Sequence, residues 1–229
     1  MSNSLTFSAG LWAVVPVKNF ENVKERLSTA LTPAERQHLF RCMLVDVLNA
    51  LSECPELEGT VLVTREPEAT ALAPCYGAKV LIERENLGHT AASTFAACRL
   101  AQVSGTSMLQ LPGDLPLLAP PDITALVVQH AEQPAITLAP SRDGRGSNAV
   151  LCTPADVLPL HFGNDSFNLH MTESRNLGIE PAICERPGLA LDIDTPEDLA
   201  FFFNAPSATT TYEYLYSSGI GARLSAQFG

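Results

Sequence analysis

The chain has 229 residues, 46% hydrophobic and 17% charged, with a net charge of −11. That length suits one large α/β domain whose core needs no disulfide or metal staple. The acidic balance excludes a broad nucleic-acid surface, which requires a basic stripe, but leaves room for a small phosphate pocket with local cations. No apolar run reaches transmembrane length. Met1 to Gly10 lacks the basic start and apolar run of a signal peptide. The six cysteines are scattered without a C-x-x-C pair, which fits buried free thiols in a reducing compartment. A cytoplasmic protein with no membrane or nucleic-acid partner is expected.

Leu11 to Val17 reads as a first strand, with Lys18 at its carboxyl end and Lys24 and Arg26 in the loop beyond. Thr32-Pro-Ala-Glu35 is a capping box with Pro33 at the first helical position. The apolar spacing from Leu39 to Leu51 continues that helix. Strand and helix then alternate: strand 60–64, helix 69–73, strand 79–82, and helix 91–102 after the loop 85–90. The run Ser107 to Leu111 reads as a buried strand, stopped by Pro112 and Gly113, which presents Asp114. Helix 121–132, strands 135–139 and 147–152, helix 167–176, strand 189–193 and a helix capped at Thr195 and running through Phe203 complete the pattern. This order implies a single-domain α/β fold with a mostly parallel, doubly wound sheet. Residues 1–203 form the expected domain. Residues 204–229 are an extension of unassigned structure, in which Gly219 and Gly221 are expected to break any helix; an arm onto a second copy, and hence a homodimer, is left open.

Open α/β sheets bind ligands at the carboxyl ends of their strands, which gives Lys18 and Asp114 ligand positions. Asp192 and Asp194 lie two apart at the end of an expected strand, so both carboxylates share one face. If that strand lies near Asp114, three like charges converge, and a divalent cation such as Mg²⁺ would neutralise them. Plainer readings stand beside this one. Asp194 suits a helix N-terminus, and Asp114 suits a turn after Pro-Gly. Lys18, Lys24 and Arg26 would supply the positive charge a triphosphate needs. The turn 162–166 could offer backbone N–H groups to an anion, or be a helix capped by Ser166. Ser147 has no evident base partner, which argues against nucleophilic catalysis.

Five stretches together resemble one family. They are Val15-Pro-Val-Lys18 with Lys24-x-Arg26-Leu27, Gly113-Asp-Leu-Pro-Leu-Leu118, Ala139 to Ala149, Phe162-Gly-x-x-Ser166-Phe-x-x-His170, and Leu191-Asp-Ile-Asp-Thr-Pro-Glu-Asp-Leu199. They resemble, from about Leu11 to Phe203, the guanylyltransferases of coenzyme F420 biosynthesis. The resemblance implies a GT-A-like nucleotidyltransferase fold, GTP and Mg²⁺, and a phosphorylated three-carbon acid as acceptor (2-phospho-L-lactate, phosphoenolpyruvate or 3-phospho-D-glycerate). It implies Asp114, Asp192 and Asp194 as metal ligands, and Lys18 and Asp114 as catalytic. Lys18, Lys24, Arg26, Gly88, Thr90 and Asp114 would bind nucleotide, and Ser147, Gly163 and Ser166 the acceptor. This chain has Gly88-His-Thr-Ala-Ala92 where the family commonly has Gly-Leu-Asn-Ala-Ala. Two rivals remain: a glycosyltransferase using Asp192-Ile-Asp194 as a D-x-D motif, and a non-catalytic nucleotide-binding protein.

Overall fold

The computed structural model describes residues 5–21, 23–83, 85 and 87–228. Asn86, in the expected loop, and Gly229, at the end of the tail, lie outside the described residues. Strands β1 (Gly10–Val17), β2 (Gly59–Thr64), β3 (Lys79–Leu81), β4 (Thr106–Gln110), β5 (Ala135–Pro140), β6 (Ser147–Thr153) and β7 (Ala182–Ile183) form one sheet in the order β3-β2-β1-β4-β6-β5-β7. The pairs are parallel except that β6 runs antiparallel to β4 and β5. The expected mostly parallel sheet is therefore the observed one.

The helices are α1 (Pro33–Ser52), α2 (Pro67–Leu72), α3 (His89–Leu100), α4 (Pro120–Gln129), α5 (Ser166–Asn176), α6 (Pro187–Ala190), α7 (Pro196–Phe203), α8 (Thr210–Ser217) and α9 (Ile220–Phe228). Side chains alternate between two cores, one on each face of the sheet. In β1, Ala13, Val15 and Val17 enter the core under α1, while Trp12 and Val14 enter the core under α3. Each fully buried Val, Leu or Met contributes about 1.5–3 kcal/mol by leaving water. The two-sided burial of β1 and β4 therefore anchors the centre of the sheet and everything that hangs from its edge. The α1 capping box forms as read: the Glu35 N–H donates to Thr32 Oγ1 at 3.3 Å, and the Thr32 N–H donates to Glu35 Oε2 at 2.8 Å.

Three expectations are corrected. Residues 189–193 do not form a strand. Pro187–Ala190 is the short helix α6, and an extended run follows it. The run keeps alternating burial, but only the Ile193 N–H reaches a neighbouring backbone, at Asp114 O, 3.3 Å away. The strand that pairs with β5 there is the two-residue β7, too short to show a period.

The tail, unassigned from the sequence, packs on the domain, and Gly221 does not break its helix. Leu215, Ile220 and Leu224 are buried in the α1 core. Asp46 of α1 accepts the backbone N–H groups of Thr210 and Thr211 and the Thr211 hydroxyl at the start of α8. Gly221 lies inside α9 rather than ending it; a Cβ there would sit 2.0 Å from the Phe203 ring, so its smallness serves packing. Finally, the cysteines are all free, but Cys75 and Cys98 are exposed, while Cys42, Cys54, Cys152 and Cys184 are buried. No helix among the described residues is long and apolar enough to cross a membrane.

Candidate active site

The carboxyl ends of β1 and β4 and the start of antiparallel β6 share one edge of the sheet. A cleft of about 1010 Å³ opens there, lined among others by Lys18, Gly88, Asp114, Ser147, Ser166 and Asp192. Arg26, Thr90, Gly163 and Asp194 also line it. Of the expected site residues, Lys24 alone is missing from this lining, for a reason its geometry explains.

Lys24 has a left-handed backbone, φ 54° and ψ 46°, which an L residue adopts uncommonly. The turn drives its side chain inward until it is only 5% exposed. Its ammonium donates to Asp114 Oδ2 and, at 2.6 Å, to Asp194 Oδ1. Burial opposes the charge on Lys24, but Asp114 and Asp194 hold its pKa above the usual value. Burial would likewise raise Asp194, yet Lys24 brings that carboxyl below its usual range. Arg26 stays 70% exposed, with a nitrogen 3.7 Å from Asp194 Oδ2. Lys24, expected among the nucleotide-binding residues, thus pairs with two carboxylates beneath the cleft.

Asp192 is held differently. Asn148, buried at the start of β6, donates to Asp192 Oδ1 at 3.0 Å and to the carbonyls of Leu189 and Ala190 at 2.9 and 3.2 Å. One side chain therefore closes the end of α6 and aims the carboxylate. Burial and then the charge of Asp114 push the Asp192 pKa up to about 6, and among the described residues no cation pairs with this carboxylate. Next to it, Asp114 Oδ1 is buried with no hydrogen-bond partner among the described residues.

The three expected carboxylates therefore do meet, but as a carboxylate–lysine cluster. No three His, Cys, Asp or Glu side chains among the described residues are set to hold a metal by themselves. The unpartnered Asp114 oxygen and the uncompensated Asp192 fit a small hard cation that takes few protein ligands and completes its shell with water and phosphate.

Across the sheet edge, β6 and α5 each supply a hydroxyl, Ser147 and Ser166. Ser166 is its first residue, after Asp165 in a left-handed conformation with φ 61° and no side-chain cap. Ser166 Oγ accepts the Ser147 N–H at 2.9 Å. Gly163, at φ 140°, takes a backbone path that favours glycine. Ser147 Oγ lies 2.9 Å from His170 Nδ1, a partner not anticipated from the sequence. Ser166 and His170 stand four apart on one helix, a spacing that puts them on one face; that was the available signal.

The first turn of α3 lines the cleft and also braces this loop. The Phe162 N–H donates to Thr90 Oγ1 at 2.9 Å. His89 packs edge-on against Phe162 with centroids 4.6 Å apart, and its Nε2 accepts from the Gln110 amide at 2.7 Å. Burial brings the His89 pKa down to about 4. The Thr90 hydroxyl, an expected nucleotide contact, is thus engaged by Phe162. Lys18 is exposed beside Gly88, where a Cβ would lie 3.9 Å from the lysine Nζ. Arg142 and Asp198 both line the cleft and pair there at 2.6 Å, with the Arg142 guanidinium over the Phe201 ring. Arg145 stays exposed, paired within its own loop to Asp143 at 2.9 Å.

A family model described as guanylyl transferase CofC-like matches residues 11–227. The chain belongs to this family. Among its relatives, a phosphoenolpyruvate guanylyltransferase of Rubrobacter xylanophilus is 36% identical over 190 residues, covering 83% of this chain and 92% of that protein. A 2-phospho-L-lactate guanylyltransferase of Methanobrevibacter ruminantium is 29% identical over 220 residues, 92% of each. Among solved structures, a nucleotidyl transferase from Methanothermobacter superposes with a TM-score of 0.58 at 16% identity, over 91% of this chain and 99% of that one. A nucleotide-diphospho-sugar transferase fold from Desulfovibrio desulfuricans reaches 0.77 at 16% identity, over 95% and 98%. At that identity the structures share the fold alone. This chain thus shares the GT-A-like fold of these transferases, and its family match runs through the tail helices to residue 227.

Proposed function

We propose that this CofC-like protein transfers the guanylyl group of GTP to the phosphate of a small phosphorylated three-carbon acid, releasing pyrophosphate, in coenzyme F420 biosynthesis. The observation that carries the reading is the division of the cleft: an under-neutralised acidic centre, Asp114 and Asp192, opposite the hydroxyls of Ser147 and Ser166. The first would hold a cation that supplies charge stabilisation to a triphosphate; the second would hold an anionic acceptor. The names of the relatives supply guanine and the acid class, and those at 33–36% identity carry the name phosphoenolpyruvate guanylyltransferase.

In this reading an acceptor phosphate oxygen forms a bond to the α-phosphorus of GTP while the bond from that phosphorus to the β-phosphate bridging oxygen breaks. The nucleophile is already anionic near neutral pH, so no strong base is needed, and catalysis rests on positioning and charge stabilisation. Lys18 and Arg26, which line the cleft, would meet the phosphates. Lys24 holds Asp114 and Asp194 together from below. Asp114, Asp192 and Asp194 are the residues that would hold Mg²⁺, which supplies charge stabilisation to the transferring phosphate when bound. Ser147, Gly163 and Ser166 hold the acceptor.

Pyrophosphate release from GTP should be measured with each of the three acids, with ATP and CTP as nucleotide controls. Release with GTP and one acid, phosphoenolpyruvate first, is the expected result. Turnover of a nucleotide sugar without pyrophosphate, or nucleotide binding with no product from any acid, would replace the proposal.

A further inference from the structure

His170 is fully buried between the start of β6 and the loop before α5. Both of its ring nitrogens are engaged. The His161 backbone N–H points at Nε2 from 2.9 Å, and Ser147 Oγ lies 2.9 Å from Nδ1. A backbone N–H can only donate, so Nε2 must present its lone pair. A neutral imidazole carries its one proton on the other nitrogen. Nδ1–H therefore donates to Ser147 Oγ, and one oxygen lone pair is taken from inside the protein. The Ser147 proton cannot point back at the ring and is left for the cleft, which Ser147 lines.

Ser166 is arranged in the same sense. Its oxygen accepts the Ser147 N–H, so its hydroxyl proton is likewise unspent. Among the described residues neither hydroxyl has an acceptor. Two donors turned outward, beside the N-terminus of the 11-residue helix α5, make a site for an anion.

We infer that His170 is a positioning residue, which fixes the Ser147 hydroxyl as a donor to the anionic acceptor. The inference rests on the acceptor site proposed above. It also separates this serine from a nucleophile: a ring nitrogen that already carries hydrogen cannot take the hydroxyl proton. Burial supports the neutral ring, bringing the His170 pKa down to about 4. Phe162, edge-on with its centroid 5.1 Å away, packs against the ring.

Two variants isolate the donor. His170→Asn keeps an N–H donor near the place of Nδ1, whereas His170→Leu removes it; both lose the acceptor for the His161 N–H. A hydrogen bond to a charged group contributes about 1.5–3 kcal/mol, roughly 10- to 100-fold in binding. The acceptor KM should rise about tenfold or more in His170→Leu and in Ser147→Ala, with the GTP KM unchanged, and should return to within about threefold of wild type in His170→Asn. Equal acceptor KM values in the Asn and Leu variants would overturn the inference. Nitrogen-15 NMR of histidine-labelled wild-type protein reads the proton directly. Hydrogen on Nδ1 and none on Nε2, from about pH 6 to about pH 8, supports the inference; hydrogen on Nε2 overturns it. Should no acid react with GTP, the guanylyl-transfer reading fails, while the NMR result still decides where the proton sits.

Discussion

Lys24→Met removes the ammonium and leaves the aliphatic stem. In wild type that ammonium sits 2.6 Å from Asp194 Oδ1 and also contacts Asp114, in a side chain 5% exposed. At an effective dielectric of about 20, one such contact carries about 6 kcal/mol of attraction before desolvation is subtracted. Asp194 is 43% exposed and recovers water when unpaired, whereas Asp114, at 16%, does not. Removing one partner of a buried pair costs about 3–5 kcal/mol, and the exposure of Asp194 points to the lower end. For a chain of this size, about 3 kcal/mol corresponds to roughly 6–12 °C in Tm. The loss comes from stranded carboxylates, so a divalent cation should offset it. Thermal unfolding without Mg²⁺ should show the full drop, and added Mg²⁺ should raise the Tm of Lys24→Met by several degrees more than that of wild type. An unchanged Tm without Mg²⁺, or a drop that Mg²⁺ leaves intact, would refute the description of the cluster.

Asp192 gives the opposite sign. Its folded pKa, raised from 3.8 to about 6, means that its stabilising protonated form is lost as pH rises towards 6, so above that pH the metal-free protein carries the cost. Asp192→Asn should therefore stabilise the metal-free protein at pH 7.5, by up to about 3 kcal/mol at ~1.4 kcal/mol per pKa unit, read as a higher urea midpoint, and should abolish any stabilisation by Mg²⁺ through this residue. His170, lowered from 6.5 to about 4, contributes stability that is complete above pH 6.5 and is lost as pH falls towards 4, about 3 kcal/mol in all. Urea midpoints between those limits should fall less steeply for His170→Asn than for wild type. Gly221→Ala places a Cβ 2.0 Å from the Phe203 ring; overpacking of this kind costs about 1–3 kcal/mol, visible as a lower Tm with acceptor KM unchanged.

The alternation of apolar runs and capped helices carried most of the fold in the sequence. Thr32 with Glu35 and Thr195 with Asp198 both form the boxes their spacing implies. What misled was local pattern without its partners. Leu191 to Asp194 alternates in burial like a strand, but among the described residues it makes no ladder, only the bond from the Ile193 N–H to Asp114 O. Gly221 looks like a helix breaker until Phe203 is seen against it. Within the site, Lys18 and Asp114 were legible because a strand end is a ligand position in this architecture. The depth of Lys24 was not, because it depends on a left-handed turn and on carboxylates far away in the chain. The roles of Asn148 and His170 were hidden for the same reason: each is defined by a contact with a distant segment.

Under the proposed function, Asp114 belongs to a nucleotidyl-transfer centre rather than to a turn. Pyrophosphate release from GTP with the preferred acid, measured at saturating Mg²⁺ for wild type and Asp114→Asn, tests it directly. The substitution keeps the shape of the side chain and removes its charge. A loss in kcat of about 10³-fold, near 4 kcal/mol, with unfolding still cooperative, is the predicted result. Wild-type turnover by Asp114→Asn would contradict it.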